Sequence, residues 1–135
     1  MTVIVTDSGF NADNWTLGFV PLDEAANDVA ALDVPSAADP AEVITQLAGV
    51  EMVRVDFPSF ADGRGFTIAR QLRLAGYKGR LRAKGHVISD QYAMARRCGF
   101  DEVEISNELA TRQPEGEWKF RADWQANNYQ ARMRG

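Results

Sequence analysis

The stretch from Asp62 to Gly65 combines residue types that can grip a small anion. Arg64 presents a guanidinium group that bonds an oxyanion bidentately. Gly63 and Gly65 let the backbone turn tightly and approach a ligand closely. The stretch precedes a predicted helix, whose N-terminus favours anions. The same residues also suit a plain turn, because Asp62 is a good helix cap and is able to pair with Arg64. The sequence leaves both interpretations open.

Arg82, His86 and Asp90 complete the candidate site. Arg80, Arg82 and Lys84 alternate along a predicted strand, which is unusual in a covered parallel sheet. That strand is therefore either an edge strand, or Arg82 enters a buried ion pair or an anion site. His86 is the only histidine, and because histidine as a residue type exchanges protons near neutral pH, His86 and Asp90 are candidates for acid–base catalysis. A lone histidine in a loop is nevertheless more often a plain surface residue.

The composition excludes several classes of site. One histidine and one cysteine cannot build a zinc site or an iron–sulfur cluster. The sequence contains neither a G-x-G-x-x-G motif nor a P-loop, so we expect no metal and no cofactor. Cys98 shares a helix face with Met94 and Ala95, which predicts a core position rather than a redox role.

Charge and hydropathy indicate a soluble cytoplasmic protein. The net charge of -4 argues against a nucleic-acid binder. The N-terminus lacks the basic and apolar segments of a secretion signal, and no apolar run approaches the roughly 20 residues needed to cross a bilayer. A lone thiol is typical of a reducing compartment.

The charge is distributed unevenly along the chain. Residues 62–97 contain nine basic and two acidic side chains, whereas residues 1–60 contain one basic and ten acidic. Arg70 and Arg73 lie opposite the apolar stripe of their predicted helix, where they form either a solvated face or a patch that docks a partner. Trp118 and Trp124 are further candidates for partner contacts, in a C-terminal segment with little apolar periodicity.

The elements that position these residues alternate between strand and helix. Strands are predicted in segments 28–34, 51–57, 79–85 and 100–105, joined by three helices. Asp39 and Pro40 start the first helix, with Glu42 completing a capping box, and Gly49 ends it. The pattern predicts a single α/β domain over residues 1–135. Its sheet is small and mainly parallel, with about four to five strands.

The βα core of this domain covers about residues 29–105, and about residues 109–135 form an irregular tail. The sheet is either open or curved like half a barrel, and the early "VIVT" adds an edge strand or a hairpin. In parallel sheets, ligands bind outside the carboxyl ends of the strands. Loops 58–65, 85–90 and 106–108 should therefore meet at one edge.

Several segments resemble the bacterial domain-of-unknown-function-934 family. They are "DGRGFTIARQLR", "GYKGRLRAKGHVISDQ" and "RRCGFDEVEI", and the similarity covers residues 53–105. The sequence departs from the family pattern at Thr67, where serine is expected, and at His86, where an acidic residue is expected. The family is described as an oxidoreductase linked to sulfite reduction. The resemblance thus implies a pathway, while no cofactor motif indicates redox chemistry.

Two functions follow as expectations. In the first, the protein is an accessory protein of assimilatory sulfur metabolism that binds a partner enzyme, such as sulfite reductase or another enzyme of sulfate assimilation. In the second, it is a small enzyme or binding protein for a sulfur oxyanion or a phosphorylated metabolite. The second function places an anion site at the carboxyl edge of the sheet, built from Asp62, Arg64, Arg82, His86 and Asp90.

Overall fold

The computed structural model describes residues 2–25 and 29–124. One sheet contains seven strands: β1 (Thr2–Thr6), β2 (Gly9–Asn11), β3 (Val20–Pro21), β4 (Ala31–Val34), β5 (Met52–Phe57), β6 (Arg80–Gly85) and β7 (Glu102–Ser106). Within the described residues, five α-helices accompany the sheet: α1 (Pro40–Ile44), α2 (Arg64–Leu74), α3 (Tyr92–Cys98), α4 (Asn107–Arg112) and α5 (Glu115–Phe120).

The strands lie in the order β2-β1-β7-β6-β5-β4-β3. Strands β3 to β7 are parallel, and β1 is antiparallel to both β2 and β7. The α/β class is confirmed, but the sheet is mixed and has more strands than the four to five predicted. Strands β2 and β3 have three and two residues, which is too short for a detectable period. The "VIVT" segment forms the hairpin with β2 and also pairs with β7.

Local signals explain where several helices begin and end. Asp39 Oδ1 accepts a hydrogen bond from the Ala41 amide at 3.0 Å, and Pro40 occupies the first helical position, as predicted. The predicted capping box is wrong, because the Glu42 side chain makes no hydrogen bond to a described residue. Helix α1 also ends at Ile44, before Gly49. Gly99 has φ 113° and ends α3, as expected for a C-terminal glycine.

The helices pack on the apolar face of the sheet. Consecutive parallel strands linked by crossovers of one hand place their helices on the same side. Leu81 and Ala83 of β6 point into this core and are fully buried. Ile68 and Leu72 of α2 belong to the same cluster. We call this side of the sheet the helix face.

The opposite face carries charged side chains. Arg82 and Glu104 alternate with the core residues of β6 and β7, so they point away from the helices. Residues 12–19, which we call the strap, lie against this side, with Asp13 contacting Arg82 and the Phe19 ring beneath the Arg54 guanidinium. We call this side the charged face.

The segment predicted to be an irregular tail is partly helical. Helices α4 and α5 cover most of residues 107–120, and Trp118 is buried in the core. Ser106 starts α4 by accepting a hydrogen bond from the Leu109 amide at 3.1 Å. The helices are short, so their periodicity is weak in the sequence. Residues 125–135, the last part of the predicted tail, lie outside the described residues.

Candidate functional site

Arg82 lies at the centre of a buried ionic cluster on the charged face. Its side chain is 0% exposed. Its guanidinium donates to Glu102 at 2.5 Å and to Glu104 at 2.9 Å. It also donates to both carboxylate oxygens of Asp13, at 3.0 and 3.1 Å. Of the two buried roles predicted for Arg82, the structure shows the ion pair, and three carboxylates occupy the positions that an anion would need.

The cluster continues across neighbouring strands. Arg54 donates to both oxygens of Asp33 at 2.6 Å and to Glu104 at 3.2 Å. Its guanidinium lies 3.7 Å from the Phe19 ring centre, a cation–π contact. Arg80 pairs with Glu102 at 2.7 Å. Within residues 2–25 and 29–124, every buried side-chain nitrogen or oxygen has a hydrogen-bond partner, which a buried cluster requires.

Arg64 and Asp62 form a brace at the start of α2. The Arg64 guanidinium donates to Asp62 at 2.8 and 3.0 Å, and the Arg64 amide donates to the same carboxylate at 3.1 Å. These hydrogen bonds hold the pKa of Asp62 well below its usual range. Arg64 also donates to the Ser36 hydroxyl at 3.0 Å. Its Nη1 makes no hydrogen bond to a described residue, and its side chain is 61% exposed.

Packing accounts for Gly65 without a ligand. A Cβ at Gly65 would lie 2.5 Å from the buried Phe57 ring, so only glycine fits there. Gly63 has φ -93° and ψ 3°, a conformation open to other residues, and a Cβ there would meet nothing closer than 3.9 Å. Arg64 and Arg82 do not form one site, because Arg64 lies at a helix end and Arg82 points into the charged face.

His86 and Asp90 lie at the carboxyl edge of the sheet. His86 is exposed, its Nδ1 is 3.2 Å from the Phe57 carbonyl oxygen, and its ring meets Phe60 edge to face. Gln91 donates to the Phe60 carbonyl at 3.1 Å, so loops 58–65 and 85–90 are adjacent. Asp90 pairs with Arg121 at 2.5 Å. No described contact joins His86 to Asp90, so the catalytic pair stays a prediction.

The predicted docking residues have different environments. Arg70 is exposed and makes no hydrogen bond or ion pair with a described residue. Arg73 donates to the carbonyls of Tyr77, Gly79 and Gly99, so it clamps loops together. Trp118 is 1% exposed, and burial removes it from any docking surface.

Trp124 is half-buried against the N-terminal hairpin. Its ring lies 4.8 Å from the Arg96 guanidinium, and its Nε1 donates to Asp7 at 3.3 Å. Arg96 donates to the same carboxylate at 3.2 Å. These contacts tie the end of the described chain to the turn after β1, so they occupy part of the surface that Trp124 was expected to present.

Sequence reasoning missed a cavity of about 520 Å³ at the carboxyl ends of the parallel strands. Lys84 at the end of β6 and Asp56 at the end of β5 face each other in register. Neither side chain forms a hydrogen bond or ion pair with a described residue. The sequence did contain one indication of this cavity, because the alternation of Arg80, Arg82 and Lys84 places Lys84 nearest the carboxyl edge of the sheet. The walls consist of Pro21, Leu22, Asp23, Asp33, Val34, Pro35, Ala37, Ala38, Glu42, Asp56 and Lys84.

The described residues contain neither a cluster of metal ligands nor a helix that could cross a membrane. No group of three or more His, Cys, Asp and Glu side chains in the described part is placed to hold a metal ion. Among residues 2–25 and 29–124, the helices are too short or too polar to cross a membrane.

Comparison with known proteins identifies a family. No curated protein and no solved structure matches the chain. A family model described as "Bacterial protein of unknown function (DUF934)" matches residues 31–135. This match begins with β4 and includes α2, the charged strand β6 and the C-terminal helices, and it covers more than half of the chain. The chain therefore belongs to the bacterial DUF934 family.

Proposed function

We propose that this protein is an accessory protein of assimilatory sulfur metabolism, associated with sulfite reduction, that acts by binding a partner enzyme. The pathway comes from the description of the family that the sequence resembles. The binding role rests on one structural observation, an exposed mixed surface on two adjoining helices. We call this surface the docking face and define it by Arg70 and Leu74 of α2 and Met94 and Arg97 of α3.

The docking face exposes apolar side chains among basic ones. Leu74 is 70% exposed and Met94 is 50% exposed. Met94 and Ala95 were both expected in the core, but α3 buries only Ala95 and turns Met94 outward. Exposed apolar groups ringed by charge are typical of protein-binding surfaces.

A charge on one helix of the docking face acts on a side chain of the other helix. Burial raises the pKa of the Cys98 thiol on α3, and the positive charge of Arg70 on α2 opposes that rise. Arg70 therefore lies near the α3 surface that also carries Arg97. The matching partner surface is an apolar patch with an acidic rim, because a basic surface attracts carboxylates and disfavours other cations.

Affinity capture with matched variants tests the proposal. Tagged wild-type protein is used to capture partners from sulfate-grown cells, and sulfite reductase and other sulfate-assimilation enzymes are then quantified. Leu74→Asp and Arg70→Glu should reduce recovery about tenfold or more, since each places a like charge or a desolvation cost in the contact. Leu17→Asp is the control, because Leu17 is 63% exposed on the strap, away from the docking face.

Direct binding to the purified enzyme then tests whether the docking face makes the contact. The enzyme recovered should bind the purified wild-type protein directly, and the same variants should weaken that binding. Equal binding by wild type and Leu74→Asp, or recovery of no sulfate-assimilation enzyme at all, would contradict the proposal.

A second candidate function is the binding of a sulfur oxyanion at Arg64. One observation favours it: exposed Arg64 lines a cavity of about 230 Å³ with Ser36 and Thr67, and its Nη1 is unused by described residues. In this function, sulfite or sulfate should raise the melting temperature of the wild type. Arg64→Ala should abolish that rise, and Arg64→Lys should restore it poorly because an ammonium lacks the guanidinium fork.

The alternative for Arg64 is the brace alone. Then Arg64→Ala and Asp62→Ala should lower the melting temperature by similar amounts, and the double variant should be less than additive. No anion should stabilise the wild type in that case.

A further inference from the structure

We propose that the cavity at the carboxyl ends of β3 to β6 is a binding site for a small zwitterion of the amino-acid type. In this site Lys84 receives the carboxylate, Asp56 with its acidic neighbours receives the ammonium, and the apolar wall receives the side chain. The cavity contains neither Arg64 nor a residue of the docking face, although it shares Ala37 and Ala38 with the cavity beside Arg64, and this inference does not rest on the proposed function.

The position and size of the cavity favour a ligand. It lies where parallel α/β sheets bind ligands, outside the carboxyl ends of neighbouring strands. Its volume of about 520 Å³ is within the range of small-molecule sites, roughly 300–1,000 Å³. A compound as small as an amino acid fits within that space.

Four of the five charged groups of the cavity have no partner among the described residues, and the fifth, Asp33, is paired with Arg54. Lys84 is half-buried, and Asp56 lies opposite it on the next strand, yet no described residue pairs with either of them. Asp23 and Glu42 likewise make no side-chain hydrogen bond or ion pair to a described residue. This differs from the neighbouring ionic cluster, in which every arginine is paired, so the protein leaves these charges available.

The arrangement of charge and apolar surface defines the class of ligand. One ammonium among several carboxylates favours a molecule that brings its own cation and one anionic group. Leu22 and Val34, both buried, form part of the wall and offer apolar contact to a side chain. A simple dianion, such as sulfate, meets carboxylates on most sides and is disfavoured.

Calorimetric titration with three matched probes tests the inference. The probes are L-leucine, 3-methylbutylamine, which lacks the carboxylate, and 4-methylpentanoate, which lacks the ammonium. Leucine should bind the wild type about tenfold tighter than either truncated probe, the value of one charged hydrogen bond. Lys84→Met should remove the advantage of leucine over the amine, and Asp56→Asn should weaken both.

Lys78→Met is the control. Lys78 is exposed and precedes the start of β6, at the opposite end of the strand from the cavity, and it undergoes the same replacement as Lys84. It should bind all three probes like the wild type, and circular dichroism should show that each variant is folded. Binding of leucine unchanged by Lys84→Met would overturn the assignment of the carboxylate. No binding of leucine, methionine or phenylalanine at millimolar concentration would overturn the inference as a whole.

Discussion

The two faces of the sheet are stabilised by different interactions. The helix face is a continuous apolar surface, in which Leu72 and Leu81 contribute through burial and dispersion. The charged face buries Arg82 with two glutamates, so its stability depends on complete pairing rather than on area. An apolar face tolerates replacements that keep volume, whereas an ionic cluster loses stability whenever one member is removed.

The covers of the two faces also differ. Helices anchored by many apolar contacts cover one face, and the strap, residues 12–19, lies against the other without a helix. Asp13 and Phe19 connect the strap to the arginines of the sheet. The charged face is therefore covered by a segment whose attachment depends on the charges beneath it.

Removal of the central cation should have the largest effect. Arg82→Met keeps most of the volume but leaves Glu102 and Glu104 buried without their main counter-ion. We expect a loss of about 3–5 kcal/mol in the free energy of unfolding, measured by urea denaturation. Arg80→Met on the same strand should cost about 1 kcal/mol or less, because that side chain is 34% exposed. Similar losses in both variants would remove the distinction between buried and exposed pairs.

A cavity on the helix face should cost slightly less. Leu72 is fully buried, and Leu72→Ala should lower the free energy of unfolding by about 3 kcal/mol. Leu72→Met should cost less than about 1.5 kcal/mol because it preserves volume. The corresponding conservative change on the charged face, Arg82→Lys, should be poorly tolerated, since lysine cannot make the forked contacts. Equal tolerance of both conservative changes would show that the faces do not differ as described.

Substitutions of Gly63 and Gly65 test whether these glycines serve packing or ligand binding. Gly65→Ala should destabilise by about 1–3 kcal/mol because its Cβ would collide with Phe57, despite the better helix propensity of alanine. Gly63→Ala should change stability by no more than about 0.5 kcal/mol. Thermal melts of both variants, without and with sulfite, provide the measurement. A stable Gly65→Ala variant that has lost an anion response would instead indicate a ligand role.

Release of the strap should have the smallest effect and should depend on pH. Burial raises the pKa of Asp13, but hydrogen bonds from Arg82 and the Trp15 amide outweigh it and hold the pKa below 3.8. Because the pKa of Asp13 is lower in the folded state, its charge stabilises the folded protein at pH values above 3.8. This contribution is lost as the pH falls through the pKa of Asp13 in the folded state. Asp13→Asn should therefore cost about 1 kcal/mol at neutral pH.

The difference between Asp13→Asn and the wild type should shrink as pH falls below the usual pKa of Asp13. Urea unfolding of both proteins, at neutral pH and near pH 3, measures this difference. A difference that stays constant with pH would mean that the charge of Asp13 does not anchor the strap.

The sequence predicted the parts of the fold that depend on neighbouring residues. The alternation of strands and helices from Ala31 to Ser106 is confirmed within a few residues, as are the Asp39 cap and the Gly99 stop. Those features follow from side-chain period, backbone conformation and short-range hydrogen bonds. Strands β2 and β3 and helices α4 and α5 escaped prediction because they are short and are stabilised by contacts with distant segments.

The site divides in the same way. The sequence alone identified Arg82 as a charged residue in a strand where charge is unusual, and it predicted a ligand site at the carboxyl edge of the sheet. Only the tertiary structure decided that Arg82 pairs with Asp13, which lies 69 residues earlier in the chain. The tertiary structure also buried Trp118, exposed Met94 and left Lys84 without a partner among the described residues. Such outcomes depend on which strands lie side by side and what covers them, and pairing between distant segments leaves no periodic signal in the residues themselves.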